Sequence, residues 1–212
     1  MTRHDAIIIG TGRSGPSLAG RLAAAGRNVA IIERKAFGGT CVNTGCIPTK
    51  TLVASAYAAH IARRADAFTH TSYNDFEIVA ANLLDNDPRR VTDRITAYNL
   101  YVDPPLGRVG MTEAEVRASR RPALMAKMPM DKVGRASEKG ETRGFMKILV
   151  DRETRLILGA SLLGIGADEV IHTLIDLMYA KAPYTVLKRA MHIHPTVSEL
   201  LPTMMSQLEP LQ

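Results

Sequence analysis

The chain has 212 residues, 46% of them hydrophobic, with a formal net charge of +6. That length supports one large or two small domains with a real core. Its two cysteines exclude a disulfide-stapled secreted scaffold, and no apolar run approaches the roughly 18–20 residues of a membrane span, so a cytoplasmic protein without membrane contact is expected.

Residues 1–66 carry nine Lys/Arg against three Asp/Glu, whereas residues 67–212 carry eighteen of each. The excess positive charge therefore sits in the first third, where it suits an anionic cofactor. A basic chain also suits nucleic acid, but no basic–aromatic interleaving or nucleic-acid motif supports that reading, and no nucleic-acid partner is expected.

In chain order, Ala6-Ile-Ile-Ile9 reads as a short buried parallel strand that runs into Gly10-Thr-Gly12-Arg13-Ser14-Gly15. The pattern predicts a helix over 16–25, stopped by Gly26, and a second buried strand over 28–33 ending on Glu33. A lone GxGxxG can be merely a glycine-rich turn. Here strand, helix, second strand and terminal acid agree on a dinucleotide-binding βαβ unit. The first glycine permits the turn, the second admits a pyrophosphate, the third lets helix and strand pack closely, and Glu33 is placed to accept from a ribose hydroxyl. Arg13, Ser14 and Arg34 join the glycines as cofactor-binding candidates.

Both cysteines follow, Cys41 and Cys46, five positions apart behind Gly38-Gly39-Thr40. Their spacing is not the C-x2-C of zinc sites, and no second cysteine pair or His-x3-5-His partner completes a tetrahedral set, so no metal site is expected. Two readings remain: a redox pair, or two buried cysteines acting as small hydrophobes. A redox pair needs Cα atoms within about 4.4–6.8 Å, which a distorted first helical turn can supply. The alanine-rich segment 51–65 has helical character, and a helix beginning near Cys46 would stabilise a thiolate there.

Gly10 to Gly15, Glu33 and the run Gly38-Gly-Thr-Cys41-Val-Asn-Thr-Gly-Cys46-Ile-Pro-Thr-Lys50 resemble class I pyridine nucleotide-disulfide oxidoreductases. Glutathione reductase, dihydrolipoamide dehydrogenase and mercuric reductase belong to that family. The resemblance implies FAD in the N-terminal fingerprint, reaching Gly39, Thr40 and Lys50. It implies Cys41 as interchange thiol, Cys46 as charge-transfer thiol and Lys50 near the flavin ring.

The family pattern breaks near 65–67, and residues 68–84 resemble the segment that follows the nicotinamide domain. No second GxGxxG and no Gly-Asp dipeptide occur. The expectation is that the nicotinamide domain and part of the FAD domain have been removed, so that the family's NAD(P)H site is not present. Domains are expected at 1–87, a truncated FAD-binding part, and 88–212, an interface domain. The fold class is α/β with a partial FAD-binding Rossmann-like unit at the N-terminus, plus an α+β C-terminal dimerisation domain.

In that second region strands are expected over 98–102 and 123–130, a turn over 104–107, and a hairpin of 145–150 with 156–163 about the polar turn 151–154. Thr112-Glu-Ala-Glu115 has the capping-box pattern. A long helix opens at Gly166 and runs toward Tyr179. The methionines at 125, 128, 130, 204 and 205 read as core or dimer packing. His194-Pro-Thr-Val-Ser-Glu199 resembles the family's C-terminal motif, which implies His194 as acid/base toward the thiols of a second subunit and Glu199 as the group that orients it. His192 reads as a nearby decoy.

The implied function is a FAD-dependent NAD(P)H:disulfide oxidoreductase of the mercuric reductase-like branch. It would act as a homodimer on a small disulfide or other small-molecule oxidant. With no C-terminal cysteine pair and no metal-binding module before Thr2, mercuric reduction itself is not the expected reaction. The alternative is an internally deleted, inactive FAD-binding or dimerisation remnant, whose two parallel strands would be left without the rest of their sheet and with an unpaired apolar edge.

Overall fold

Four apolar residues make β1 (Ala6–Ile9), and a second such run makes β2 (Val29–Ile32). They pair in parallel with Ile7 opposite Ala30 and Ile9 opposite Ile32. The connection is α1 (Ser14–Ala24), which starts two residues earlier than the sequence pattern suggests and ends ahead of Gly26. The computed structural model describes residues 3–39 and 69–211. By contacts the chain divides into two units, Met1–Arg94 and Ile95–Gln212. The sequence boundary at 87/88 lies seven residues before that division.

In the first unit, α2 (Thr69–Ala80) packs on α1 and is extended by a π-helical turn, Ala81–Asp85, that ends on Asn86 in the left-handed region. The apolar residues between these helices, Leu22, Phe76, Ile78, Ala80 and Ala81, are buried. Arg21 reaches Asp85, and Arg94 ties back to Asn74 and Asp75. The sheet beside them has two strands among the described residues. Strand side chains alternate between faces, and the face that carries Ile7, Ile9 and Ile32 is exposed, Ile9 by 86%.

The second unit is built on a six-stranded antiparallel sheet in the order β3-β4-β7-β6-β5-β8. Its strands are β3 (Ala97–Leu100), β4 (Leu106–Gly110), β5 (Ala123–Pro129), β6 (Phe145–Asp151), β7 (Ile157–Leu163) and β8 (Glu209–Pro210). The expected hairpin is β6–β7, and Asp151 fastens its turn by accepting from the N–H groups of Glu153 and Thr154 at 2.9 and 2.8 Å. The expected turn over 104–107 needs correcting: Leu106 and Gly107 already belong to β4, a strand held between β3 and β7.

Helices border this sheet, two of them, at the capping box and after Gly166, where the sequence pattern places them. The capping box opens α3 (Glu113–Ala118), with Thr112 and Glu115 bonded reciprocally at 2.7 and 3.1 Å. Then come the short α4 (Gly134–Glu138), the long α5 (Ala167–Tyr179) and α6 (Tyr184–Arg189). Residues alternate along β6, so Met146, Ile148 and Val150 join Leu162 of β7, with Ile171 and Leu174 of α5, in one core. Met128, Met130, Met204 and Met205 are buried in it, while Met125 packs against a smaller cluster around Val116 and Leu149. No helix among the described residues is long and apolar enough to cross a membrane.

Candidate functional site

The glycine turn in the first unit is built by contacts that tolerate no side chain. A Cβ on Gly15 would lie 2.3 Å from the Gly10 carbonyl oxygen, and one on Gly39, at φ +63°, would lie 2.6 Å from the Gly12 Cα. Gly12 itself faces open space among the described residues, none of which lies within 4 Å of where its Cβ would be. The turn therefore closes on itself on two sides and stays open where a ligand can approach. Beyond it α1 begins with no side-chain cap and no acid in its first turn. Uncapped N–H groups at a helix start attract anions.

Glu33 is pinned beneath this turn. The backbone N–H and the hydroxyl of Thr11 both donate to its Oε2 at 2.9 Å, and the Lys35 N–H donates to its Oε1 at 3.0 Å. These donors, the Thr11 backbone first, pull the carboxyl down from 4.5 to about 2. The Arg34 backbone N–H adds a weaker pull in the same direction. Thr11, which is buried, also accepts from the Gly38 N–H at 3.2 Å and so joins the first glycine turn to the second. Sequence reasoning passed over Thr11, because the second position of GxGxxG is free to vary in the fingerprint. Ser14 accepts from the Ser72 hydroxyl of α2 at 3.2 Å, and Arg13 and Arg34 are exposed. These residues fit a dinucleotide: an open notch for the pyrophosphate, a helix start beside it and a fixed anion for a hydroxyl. Thr40, Cys41, Cys46 and Lys50 lie outside the described residues.

The second cluster lies in the C-terminal unit, on the stretch that leaves α6. His194 Nδ1 meets the Glu199 carboxylate at 2.9 Å. The ring is 79% exposed and the carboxylate only 13%. Glu199 sits in a 3-10 turn, Ser198–Leu200, which leads into α7 (Leu201–Met204), and the core anchors this helix through Leu201 and Met204. The Thr196 N–H approaches the same carboxylate oxygen at 3.4 Å, and the peptide joining His194 to Pro195 is cis. A buried helix thus holds the acid, and the acid holds the ring. Because Nδ1–H donates inward, Nε2 is the outward-facing acceptor of the neutral ring. His192 differs: its Nδ1 donates to the Ser198 carbonyl at 2.7 Å, a backbone tether without a carboxylate.

The chain thus carries a glycine-closed βαβ unit and, after it in sequence, an antiparallel α+β unit with an outward His–Glu pair. The profile of the pyridine nucleotide-disulphide oxidoreductase family matches residues 4–119, and that of the family's dimerisation domain matches residues 96–205. The chain belongs to the pyridine nucleotide-disulphide oxidoreductases. Among curated relatives it is 38% identical over 135 residues to the probable pyridine nucleotide-disulfide oxidoreductase RclA of Escherichia coli K12, covering 63% of this chain and 31% of the relative. It is 30% identical over 122 residues to the dihydrolipoyl dehydrogenase of Haloferax volcanii, covering 58% and 26%. The chain thus spans about a third or less of the length of these relatives. Among solved structures, the HOCl-induced flavoprotein disulfide reductase RclA from Escherichia coli is similar with a TM-score of 0.63 and 37% identity, over 66% of this chain and 32% of that one. LpdA from Mycobacterium tuberculosis, at 12% identity and a TM-score of 0.61, shares the fold over 95% of this chain and 61% of its own.

Proposed function

We propose that this chain is a FAD-dependent disulfide oxidoreductase that works as a pair of identical subunits. Cys41 and Cys46 are its redox thiols, and His194 is the acid/base acting on the thiols of the second copy. The observation that carries the reading is the His194–Glu199 pair, because a carboxylate fixed by the core holds Nδ1 at 2.9 Å and leaves Nε2 of an exposed ring to a group from outside the subunit. The dimerisation-domain match over residues 96–205 supports the pairing of subunits.

FAD, when bound, supplies two-electron transfer to the cysteine disulfide. Gly10, Gly12, Gly15 and Gly39 with the start of α1 would hold its pyrophosphate, and Glu33 its ribose. Arg13, Ser14 and Arg34 stand beside the notch, and Thr40 and Lys50 belong to the site by the family resemblance. In the exchange, neutral His194 takes the Cys41 thiol proton on Nε2, the Cys41 thiolate attacks a substrate disulfide, the S–S bond breaks, and His194 returns that proton to the departing thiolate. The Cys46 thiolate then attacks the Cys41 sulfur, the mixed disulfide breaks, and the second substrate half leaves as a thiolate that takes its proton from water, leaving a Cys41–Cys46 disulfide. Glu199 accepts from Nδ1–H throughout and steadies the imidazolium. The names of the relatives, a flavoprotein disulfide reductase and a dihydrolipoyl dehydrogenase, favour a small disulfide substrate over the mercuric ion of the mercuric reductase-like branch.

The exposed face of the two-stranded sheet favours a second reading, a dimerisation or FAD-binding remnant without turnover. One experiment separates the two. The purified chain is examined for a visible flavin spectrum and then mixed anaerobically with NADH or NADPH. A visible flavin spectrum is the expected result, and bleaching on either nucleotide excludes the remnant, whereas a colourless dimer excludes the oxidoreductase. In an active chain, His194→Gln should slow disulfide exchange by about 10²–10⁴-fold without loss of flavin.

A further inference from the structure

Thr11 lies in a turn and carries a polar side chain, yet it is only 3% exposed. A buried hydroxyl has to be paired through both its oxygen and its hydrogen. Here each partner can act in one direction only. The Gly38 N–H donates to the hydroxyl at 3.2 Å, and the ionised Glu33 Oε2 accepts from it at 2.9 Å. The one hydroxyl hydrogen is thereby aimed at Glu33, and none is left for a ligand. The Thr11 backbone N–H donates to the same Oε2 at 2.9 Å, so one residue holds that oxygen twice. Bonds in a chain polarise one another, and the run from Gly38 through Thr11 to Glu33 is such a chain. The segment that donates to Thr11 is also pressed on the first turn, since a Cβ on Gly39 would lie 2.6 Å from the Gly12 Cα.

Resting on the dinucleotide reading above, we infer that Thr11 is a positioning residue: its hydroxyl sets the Glu33 carboxylate for the ribose hydroxyls of the cofactor's ADP half and ties that setting to the Gly38–Gly39 turn. Thr11 acts through Glu33 and touches no ligand with its own O–H. The consequence is specific to the ribose. The pyrophosphate is met at Gly12 and the start of α1, where the Thr11 hydroxyl takes no part. Valine has nearly the shape of threonine but not its hydroxyl. In its place the Gly38 N–H would lose that acceptor, and Oε2 would keep one Thr11-position donor where it now has two. Serine keeps the hydroxyl and both of its bonds.

The test uses the full chain freed of any flavin, with binding of ADP and of 2′,3′-dideoxy-ADP followed by titration calorimetry. The analogue keeps the pyrophosphate and lacks only the ribose hydroxyls. Thr11→Val is expected to weaken ADP by about tenfold and the analogue by less than about twofold, with Thr11→Ser within about threefold of wild type for ADP. Carboxyl NMR of the ligand-free chain should find the Glu33 value raised in Thr11→Val and returned to about 2 in Thr11→Ser. A side chain that only supports the fold would weaken both nucleotides alike. Equal loss of ADP and analogue in Thr11→Val, or an unchanged ADP affinity, overturns the inference and leaves the dinucleotide reading standing. Thr11→Ala, judged by the same comparison, replaces the valine variant if that one does not fold. A wild-type chain that binds neither nucleotide, or binds the two equally, overturns the reading of the site together with the inference, and so identifies which of the two has failed.

Discussion

The two units use the same apolar vocabulary to different ends. In the C-terminal unit Ile148 sits at the middle of a six-stranded sheet and has no exposed surface, while in the N-terminal unit Ile9 sits on a sheet with two strands among the described residues and is 86% exposed. Both are isoleucines within strands, so the residue's own propensity does not separate them. The number of neighbouring strands and the layer above the sheet do. A pair of four-residue strands is marginal alone and depends on α1 for one face, whereas β6 has β5 and β7 beside it and α5 and α7 over its core face. Completeness of packing, not composition, makes one sheet a core and leaves the other a surface.

That contrast is most easily broken at its buried end. Ile148→Ala removes fully enclosed atoms from a site that cannot collapse freely, and should destabilise the C-terminal unit by about 2–5 kcal/mol. Chemical denaturation followed by circular dichroism would measure it, and a loss below ~1 kcal/mol would mean that the core around β6 is looser than its burial implies. A smaller effect is expected at the entrance to α3. Thr112→Ala deletes the hydroxyl that accepts from the Glu115 N–H at 3.1 Å and should cost about 1 kcal/mol, with Thr112→Ser restoring most of it.

A third comparison sets two carboxylates against each other. Glu33 is drawn to about 2 mainly by backbone N–H donors of Thr11 and Lys35, and Glu113 to about 2 by the Lys147 ammonium first and the Arg117 guanidinium second. Both folded values lie below the ordinary 4.5, so each contribution to stability is fully present above pH 4.5 and is lost as pH falls through about 2. Both groups are solvent-accessible, so screening keeps the stability share small. Salt should distinguish them. At about 1 M ionic strength the Debye length is roughly 3 Å, and the Glu113 value should climb toward the ordinary range while Glu33, held by fixed amides, moves little. Carboxyl NMR titration at two salt concentrations reads this directly, and an equal climb at both sites would contradict the assignment of causes.

What could be read in advance follows the same divide between local and non-local causes. The glycine turn, the β6–β7 hairpin and the capping box are local: each is fixed by residues within a few positions, as Asp151 shows by fastening its own turn. Strand β4 is not. Leu106-Gly-Arg-Val-Gly110 has the composition of a turn, and it is extended only because β3 and β7 flank it. Its buried Arg108 is accommodated by Ser161 of β7, whose hydroxyl accepts at 2.7 Å. Edge strand β8, with Pro210, is likewise set by its partner β5. At the site, the five-residue step from His194 to Glu199 matches neither helix nor strand periodicity, so the pair was accessible through the family resemblance and not through spacing. The role of Thr11 became visible only when Glu33, twenty-two positions away, was found against it.

The smallest expected effect tests the exposed end of the comparison. Threonine keeps the β-branch that suits a strand and adds a hydroxyl that water can satisfy. If the Ile9 face stands in water, Ile9→Thr removes almost no burial and should alter unfolding stability by no more than about 0.5 kcal/mol. It should also slow aggregation followed by light scattering, since an apolar strand face beside an unpaired edge templates association. A loss above ~1 kcal/mol would require Ile9 to be covered in solution by another part of the chain or by a second copy. The N-terminal sheet would then be a core as complete in kind as the C-terminal one, its covering layer the only difference between them.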